Sequence, residues 1–355
     1  MLVFLLLCLA ALAPAWAAEP LPVRGLHVGA PKPEDMALCL RFIRDALPKE
    51  GVNTLVMEFG YGYQFTRRPE LADPSGLSKA DVQAIAEACK KAGVRFIPEI
   101  NLLGHQSWAK TTSALLRVHP EFDETPGQYP NNEGIYCRSY CPLHPQVHDV
   151  VFDLIDELAE AAGAEAFHAG MDEVFLIGED TCPRCKGKDK AELFAGEVSA
   201  IHDHLAKTGR GLWIWGDRLL NAELIGSTKW DASQNGTHTA IGKIPKDVVI
   251  CDWHYHRALP TAAYFAVQGF PVVSSPWREA DVALAQLEQI EAVRVQATEA
   301  IAGRMQGVLQ TTWCGFGPFA RAYFGERPAE PNVAAVESAA CFKALFRQIR
   351  QRKLN

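Results

Sequence analysis

The chain has 355 residues, of which 48% are hydrophobic, 22% charged and 9% aromatic. This composition is typical of a globular protein with a large core, so disordered, collagen-like and coiled-coil classes are excluded. The formal net charge of -7 leaves no strongly basic surface for nucleic acid, so we expect no nucleic-acid partner. A neutral or cationic small ligand fits this charge better.

The first segment of the chain, residues 1–18, is uncharged and contains an apolar run over 2–12. Small residues at Ala15, Ala17 and Ala18 supply an A-x-A cleavage site, so we predict a signal peptide over 1–18. An uncleaved anchor and a lipid attached to Cys8 are the alternatives. Because Pro14 interrupts the run and no other segment is apolar enough to cross a bilayer, we expect no stable membrane span in the mature chain. The predicted location is secreted or periplasmic.

Short β-rich runs alternate with amphipathic helical stretches along most of the remaining chain. The predicted strands cover residues 23–28, 53–59, 94–100, 164–170, 211–215, 248–253, 271–274 and 307–312. The predicted helices cover residues 34–47, 79–92, 146–162, 190–208, 261–268, 280–302 and 333–351. Residues 221–246 show no clear helical period, and they are the weak point of the alternation.

Eight strands separated by helices or long connections predict an α/β protein with a closed (β/α)8 barrel, the TIM barrel. A doubly wound open sheet is the alternative, but its first strand normally leads into a G-x-G-x-x-G loop. Here residues 28–31 read V-G-A-P, which lacks that spacing. No linker-like segment divides the chain, so we predict one domain over residues 19–355.

Ten cysteines are present, and four of them form two close pairs, Cys137 with Cys141 and Cys182 with Cys185. Export favours disulfides for these four sulfurs, whereas a tetrahedral zinc site is the alternative use. The spacing does not decide the connectivity. The other five after the signal segment are predicted to be small buried hydrophobes: Cys39, Cys89, Cys251, Cys314 and Cys341.

Polar and aromatic side chains crowd the predicted carboxyl ends of the strands, where barrel enzymes keep their functional groups. Aromatic faces beside carboxylates suit a carbohydrate, because a sugar ring stacks on an indole while its hydroxyls need donors and acceptors. The candidate residues are Glu99 and His105 after strand three, His168, Asp172 and Glu173 after strand four, Trp215 and Asp217 after strand five, Trp253 and Tyr255 after strand six, and Trp313 after strand eight.

The adjacent carboxylates Asp172 and Glu173 are the strongest candidates for catalysis. The chain has four other adjacent acidic pairs, so pairing alone means little. This pair, however, follows directly on an apolar strand, where a surface position is improbable.

The segment His168-Ala169-Gly170-Met171-Asp172-Glu173 resembles the H-x-G-G-D-E signature of glycoside hydrolase family 20, the β-N-acetylhexosaminidases, and departs from it at one glycine. Further similarities in the family's order are Arg24-Gly25-Leu26, Asn53, residues 97–100, Gly104-His105, residues 215–217 and Thr312-Trp313. The resemblance covers roughly residues 22–320 and implies a carbohydrate substrate that carries a 2-acetamido sugar. It implies no cofactor.

In the mechanism that this resemblance implies, the acetamido oxygen of the substrate attacks the anomeric carbon, so no enzyme nucleophile is needed. Asp172 would orient the acetamido group, and Glu173 would protonate the leaving oxygen and later activate water. Arg24 would bind sugar hydroxyls, Tyr255 the acetamido oxygen, and the three tryptophans would wall the sugar pocket. His105 and His168 would support the carboxylates.

The chain also departs from the family pattern. Residues 57–61 read M-E-F-G-Y in place of a tryptophan-histidine pair followed by an aspartate, and Gly315 stands where a glutamate is expected. The leading hypothesis is therefore a secreted hydrolase of terminal N-acetylhexosaminides with an uncertain exact sugar. A non-catalytic carbohydrate-binding protein on the same barrel is the alternative, and a metalloenzyme that uses the cysteine pairs and residues 253–256 is a third.

Overall fold

The structure is a computed structural model that describes residues 20–326 and 332–352. The predicted signal peptide lies outside the described residues, so it remains a prediction. None of the helices in the described part of the chain is both long and apolar enough to cross a membrane.

Eight parallel strands close into a barrel, which confirms the predicted (β/α)8 class. Neighbours in the chain are also neighbours in the barrel, and β8 pairs with β1 to close it. The strands are β1 (Val23–Gly29), β2 (Thr54–Glu58), β3 (Arg95–Leu102), β4 (Ala166–Gly170), β5 (Gly211–Trp215), β6 (Val249–Asp252), β7 (Val272–Ser274) and β8 (Met305–Gln310). A small antiparallel hairpin, Ser107–Trp108 with Thr111–Thr112, follows β3.

Helices occupy most of the connections between the strands. The helix predicted over 280–302 is split in two, with a break at Ala297 and Thr298. The helices are α1 (Met36–Asp45), α2 (Leu47–Glu50), α3 (Lys79–Lys91), α4 (Ala114–Val118), α5 (Val147–Ala162), α6 (Lys190–Ala206), α7 (Thr261–Val267), α8 (Ala280–Gln296), α9 (Glu299–Ala302), α10 (Phe316–Phe324) and α11 (Val333–Arg352).

Alternate residues of each strand point to opposite faces, so the barrel has an inner and an outer apolar layer. The inner layer contains Val56, Ile97, Trp213 and Leu309, which fill the barrel below its carboxyl end. The outer layer packs strand residues such as Leu26 against the helices. A filled interior leaves room for a ligand only at the mouth, and the parallel strands aim their carboxyl ends there.

The connection between β5 and β6 contains no α-helix among its described residues, only the 3-10 turns Asp217–Leu219 and Thr237–Gly242. It is organised around the fully buried guanidinium of Arg218, which donates hydrogen bonds to the carbonyl oxygens of Lys229 and Ala232 at 2.6 and 2.9 Å. Because the buried guanidinium donates hydrogen bonds to these backbone carbonyl oxygens, they are satisfied without a helix. This explains the missing helical period in residues 221–246.

Candidate active site at the mouth of the barrel

The structure brings ten of the eleven predicted site residues together at the carboxyl end of the barrel, and Arg24 is the exception. Arg24 is the second residue of β1 and therefore lies at the opposite end. Its guanidinium donates to the carbonyl oxygens of Gly51 at 2.8 Å and Leu21 at 2.7 Å. The predicted sugar-binding role of Arg24 is therefore wrong, because this side chain ties the amino-terminal loops together.

Glu99, on β3, is the fully buried centre of one half of the site. Its carboxylate lies 2.7 Å from Nε2 of His27 and 3.1 Å from Nδ1 of His168, and it accepts a hydrogen bond from Nε1 of Trp215 at 3.1 Å. Burial alone raises the pKa of Glu99, but the two imidazoles outweigh burial and hold that pKa well below its usual range. Glu99 is thus an ionised anchor under the site.

The chain leaves β4 through a kink that fixes the direction of the acidic pair. Gly170 has a φ of 66°, and a Cβ there would lie only 2.5 Å from Oδ1 of Asn101. Met171 also has a positive φ of 68°, although it carries a side chain, and its amide donates to Oδ1 of Asn101 at 3.2 Å. Left-handed backbone at a non-glycine residue costs roughly 1 to 3 kcal/mol and is concentrated at functional sites. The family glycine that is absent here would relieve this strain.

Asp172 and Glu173 face one imidazole and are each only 8% exposed. Nε2 of His105 lies 3.3 Å from Oδ2 of Asp172 and 3.1 Å from Oε2 of Glu173. The Asn101 amide donates to Oδ1 of Asp172 at 2.6 Å. Burial raises the pKa of Asp172, but the His105 charge and the Asn101 hydrogen bond outweigh burial and lower that pKa. Asp172 is therefore a carboxylate at neutral pH, and the two acidic side chains point into one compartment.

Asp217 links this acidic pair to the aromatic side of the site. Its Oδ2 accepts hydrogen bonds from the amide of Glu173 at 2.9 Å and from Arg218 at 2.6 Å, while Nε1 of Trp253 lies 3.3 Å from Oδ1. Burial, opposed by Arg218 and assisted by Asp172, raises the pKa of Asp217 to about 6. Asp217 accepts a hydrogen bond from the backbone amide of Glu173 and is therefore a positioning residue.

The aromatic residues form the other half of the site. The rings of Trp215 and Trp313 lie 5.7 Å apart, and Tyr255 stacks on Trp253 at 4.9 Å. Nε1 of Trp313 donates to the Tyr255 hydroxyl at 2.6 Å. Trp215 is fully buried, whereas Trp313 is 38% exposed. Trp313 thus offers the accessible indole face, and Trp215 forms the floor beneath it.

Sequence reasoning missed several residues of the site, including His27 and Glu58 at the carboxyl ends of β1 and β2. Burial and the neighbouring Glu99 charge raise the pKa of Glu58 to about 7. Both His27 and Glu58 are polar residues near the carboxyl end of a predicted strand, and this pattern would have identified them. Tyr136 was also missed; its ring lies 5.8 Å from that of His105, and burial together with the Glu173 charge raises its pKa. It lies in a long connection whose course no periodicity predicts.

A cavity of about 300 Å³ lies between the connections that follow β3, β4 and β5. Tyr136, Phe175 and Asn235 line it, together with Cys137, whose Sγ lies 3.6 Å from the carbonyl oxygen of Glu173. The rings of Tyr136 and Phe175 both contact Trp230, which comes from the connection after β5. This cavity is an aromatic-walled space that shares no lining residue with the Trp215, Trp253, Tyr255 and Trp313 group.

The nine cysteines of the described chain are free thiols, so the structure contains none of the predicted disulfides among these residues. Cys39, Cys89, Cys251 and Cys341 are buried as predicted, and Cys314 is partly exposed. Cys141, Cys182 and Cys185 lie together, whereas Cys137 does not join them. The predicted group of four cysteines is therefore wrong for Cys137, which lies apart from the other three.

Comparison with known proteins gives one family match. The model of glycosyl hydrolase family 20, catalytic domain, matches residues 60–300. A search of the curated proteins by sequence gives no match.

Solved structures of similar fold include a β-N-acetylhexosaminidase, which is 18% identical with a TM-score of 0.67 over 94% of this chain and 75% of its own. An exo-β-N-acetylglucosaminidase from Vibrio harveyi, in complex with N-acetylglucosamine, is 19% identical with a TM-score of 0.62 over 94% of this chain and 58% of its own. A chitobiase from Flavobacterium johnsoniae is 17% identical with a TM-score of 0.62, and the match covers 94% of this chain and 51% of that protein. At these identities the likeness shows the fold, and the chain spans about half of the chitobiase.

Proposed function

The chain belongs to glycosyl hydrolase family 20 and carries the catalytic domain of that family, and from this premise we propose that it removes terminal β-linked N-acetylhexosamine from a glycan. The observation that carries the proposal is the shared compartment of Asp172 and Glu173, where both carboxylates lie within 3.3 Å of one His105 nitrogen. The solved structures of similar fold named above include enzymes for this class of sugar.

In the proposed reaction the acetamido oxygen of the substrate attacks the anomeric carbon, and the bond to the leaving oxygen breaks. Glu173 donates a proton to that leaving oxygen. Asp172, ionised at neutral pH for the reasons given above, accepts a hydrogen bond from the acetamido N–H and stabilises the positive charge of the cyclic oxazolinium-like intermediate. Glu173 then takes a proton from a water molecule as the oxygen of that water attacks the anomeric carbon. The bond between the anomeric carbon and the acetamido oxygen breaks, and the β configuration is retained.

We propose that the two parts of the substrate bind at different parts of the site. The nonreducing sugar stacks on Trp313 and lies above Trp215, because these indoles border the acidic pair through Tyr255, Trp253 and Asp217. We propose that the leaving group extends toward the cavity lined by Tyr136, Phe175 and Cys137, because Cys137 contacts the carbonyl oxygen of Glu173 and the aromatic wall suits a second sugar ring. Gly315 supplies no carboxylate for the outer hydroxyls, so we expect weak discrimination between gluco and galacto configurations.

The test is release of p-nitrophenol from its N-acetyl-β-glucosaminide, its N-acetyl-β-galactosaminide and its β-glucoside. We expect turnover of both acetamido sugars and none of the glucoside, which lacks the internal nucleophile. Binding of N-acetylglucosamine without turnover of any substrate would overturn the proposal in favour of the carbohydrate-binding alternative. Location is tested separately by amino-terminal sequencing of the native protein, which we expect to begin near residue 19 if the chain is exported.

A further inference from the structure

A compact group of four ligand-type side chains lies outside the proposed sugar site. Cys141, Cys182, Cys185 and Glu124 are all buried, and one ligand atom from each lies within 4.8 Å of the others. The Sγ of Cys141 is 3.4 Å from that of Cys182 and 3.5 Å from that of Cys185. We refer to these four residues as the cysteine cluster.

The spacing of the cysteine cluster matches tetrahedral metal coordination. Sulfurs bound to one zinc ion at about 2.3 Å lie about 3.8 Å apart at the corners of a tetrahedron. The observed sulfur separations are within 0.4 Å of that edge. Cys182 and Cys185 also have the C-x-x-C spacing of a zinc turn, and the amide of Cys185 donates to Sγ of Cys182 at 3.4 Å. A disulfide would use two of the three sulfurs and leave the third without a role.

The carboxylate of Glu124 supplies an independent sign of a missing cation. Glu124 is 0% exposed, and its Oε1 accepts a hydrogen bond from the amide of Glu179 at 3.1 Å. Its Oε2 is buried and has no hydrogen-bond partner in the described chain. A carboxylate oxygen of Glu124 lies within 4.8 Å of the sulfurs of Cys141, Cys182 and Cys185. Burial of an unsatisfied carboxylate oxygen is costly unless a cation or a donor faces it.

We propose that Cys141, Cys182, Cys185 and Glu124 bind one zinc ion. Thiolate ligands select soft or borderline metals over Mg²⁺ and Ca²⁺, and zinc accepts both thiolate and carboxylate ligands in a tetrahedral site. Four protein ligands leave no open position for water or substrate, so the ion is structural. Cys137 is excluded from the ligand set because its sulfur points to the carbonyl of Glu173.

The proposed ion joins the two connections that carry the acidic half of the sugar site. Glu124 and Cys141 belong to the connection between β3 and α5, which also carries His105. Cys182 and Cys185 belong to the connection between β4 and α6, which begins with the acidic pair. Neither connection has a long helix or strand of its own, so a four-ligand site supplies the rigidity that regular hydrogen bonding does not. The zinc site therefore acts on the stability and alignment of these loops, and it does so whatever sugar the enzyme cleaves.

The first experiment measures metal in the full-length purified protein by inductively coupled plasma mass spectrometry after incubation with zinc and removal of excess. We expect about one zinc per chain. We also expect Co²⁺ exchanged into the protein to give a thiolate-to-cobalt charge-transfer band and the intense visible bands of tetrahedral coordination. Failure to retain zinc, or an octahedral cobalt spectrum without charge transfer, would overturn the proposal.

The second experiment compares Cys182→Ser and Glu124→Gln with the matched control Cys89→Ser, which alters a buried free thiol in α3. We expect Cys182→Ser to lose zinc, Glu124→Gln to bind it at least 10-fold more weakly with a shifted cobalt spectrum, and Cys89→Ser to bind it normally. Glu124→Gln keeps the shape of the side chain, so its result does not depend on a folding failure of the cysteine variant. Unchanged zinc affinity in both ligand variants, or a disulfide from Cys141 to Cys182 or Cys185 found by peptide mapping without reduction, contradicts a zinc site.

Discussion

The two halves of the site are held in place by different physics. On the β3 to β5 side, Glu99, His105, Asp172 and Asp217 are buried or nearly buried, and each is held by ion pairs and hydrogen bonds to its neighbours. On the β6 to β8 side, aromatic rings hold one another by stacking, with Trp313 partly exposed. A change on the charged side leaves a buried partner unpaired, whereas a change on the aromatic side removes contact area. The charged side should therefore control the rate of reaction and the aromatic side the affinity.

The largest expected effect is that of Glu173→Gln, which removes the proposed proton donor from the charged half. General acid-base catalysis contributes typically about 10²- to 10⁴-fold, so we expect kcat/KM to fall by about that factor with KM little changed. Steady-state kinetics with p-nitrophenyl N-acetyl-β-glucosaminide measures this. The matched control is Glu165→Gln, an exposed carboxylate at the other end of the barrel. Retention of more than a tenth of the activity by Glu173→Gln would exclude the assigned role.

Asp172→Asn tests the second carboxylate. The amide keeps the shape of Asp172 but removes the charge that faces the developing oxazolinium, so we expect a loss of about 10²- to 10³-fold in kcat. Asp180→Asn, an exposed position on the same loop, is the control and should retain wild-type kinetics. If Asp172→Asn changes KM alone, the carboxylate binds substrate without stabilising the intermediate, and the proposed mechanism loses its main support.

Trp313→Ala tests the aromatic half. Loss of one stacking face is worth about 0.5 to 1.5 kcal/mol, so KM should rise about 2- to 12-fold while kcat changes less. Trp313→Phe keeps an aromatic face and should recover most of the affinity. A fall in kcat at constant KM in Trp313→Ala would remove the distinction between the two halves.

The last effect is on stability and not on catalysis, and it comes from His254, which follows β6 and contacts carboxylates of Asp231 at 3.0 Å and Asp252 at 3.3 Å. Burial lowers the pKa of His254, but these carboxylates outweigh burial and raise it to about 9. Below pH 6.5 the histidine is protonated in both the folded and the unfolded chain. Between pH 6.5 and about 9 the unfolded chain loses this proton first, so the free energy of unfolding falls by on the order of 3 kcal/mol as the pH rises.

Thermal unfolding across this pH range measures the contribution of His254. We expect His254→Gln to remove most of the decline in melting temperature, whereas His256→Gln, at an exposed histidine two residues later, should leave the decline unchanged. An equal decline in wild type and His254→Gln would show that other groups cause it.

The barrel was predictable from the sequence because parallel strands and their covering helices leave strong apolar periods. The buried position of Asp172 and Glu173 at the carboxyl end of β4 was predictable because they directly follow an apolar strand. The connection after β5 was not predictable as structure, since a single buried cation, Arg218, organises it through backbone carbonyls that carry no sequence signal.

The errors in the site have equally specific reasons. Arg24 matched a family motif, but its place near the start of β1 puts it at the amino end of the barrel. Cys137 is four residues from Cys141, and this spacing does not determine the direction of a side chain in an irregular loop. Glu124 was missed as a ligand because only the fold brings it to Cys182 and Cys185, which lie in a different connection more than fifty residues further along the chain.

The proposed attack by the acetamido group of the substrate can be measured with p-nitrophenyl N-acetyl-β-glucosaminides whose acetyl group carries zero to three fluorines. Each fluorine withdraws electrons from the amide oxygen and weakens it as a nucleophile. If the amide oxygen is the nucleophile, log kcat/KM falls steadily with the number of fluorines. Rates independent of fluorination would show that the amide does not attack the anomeric carbon, and would contradict the mechanism.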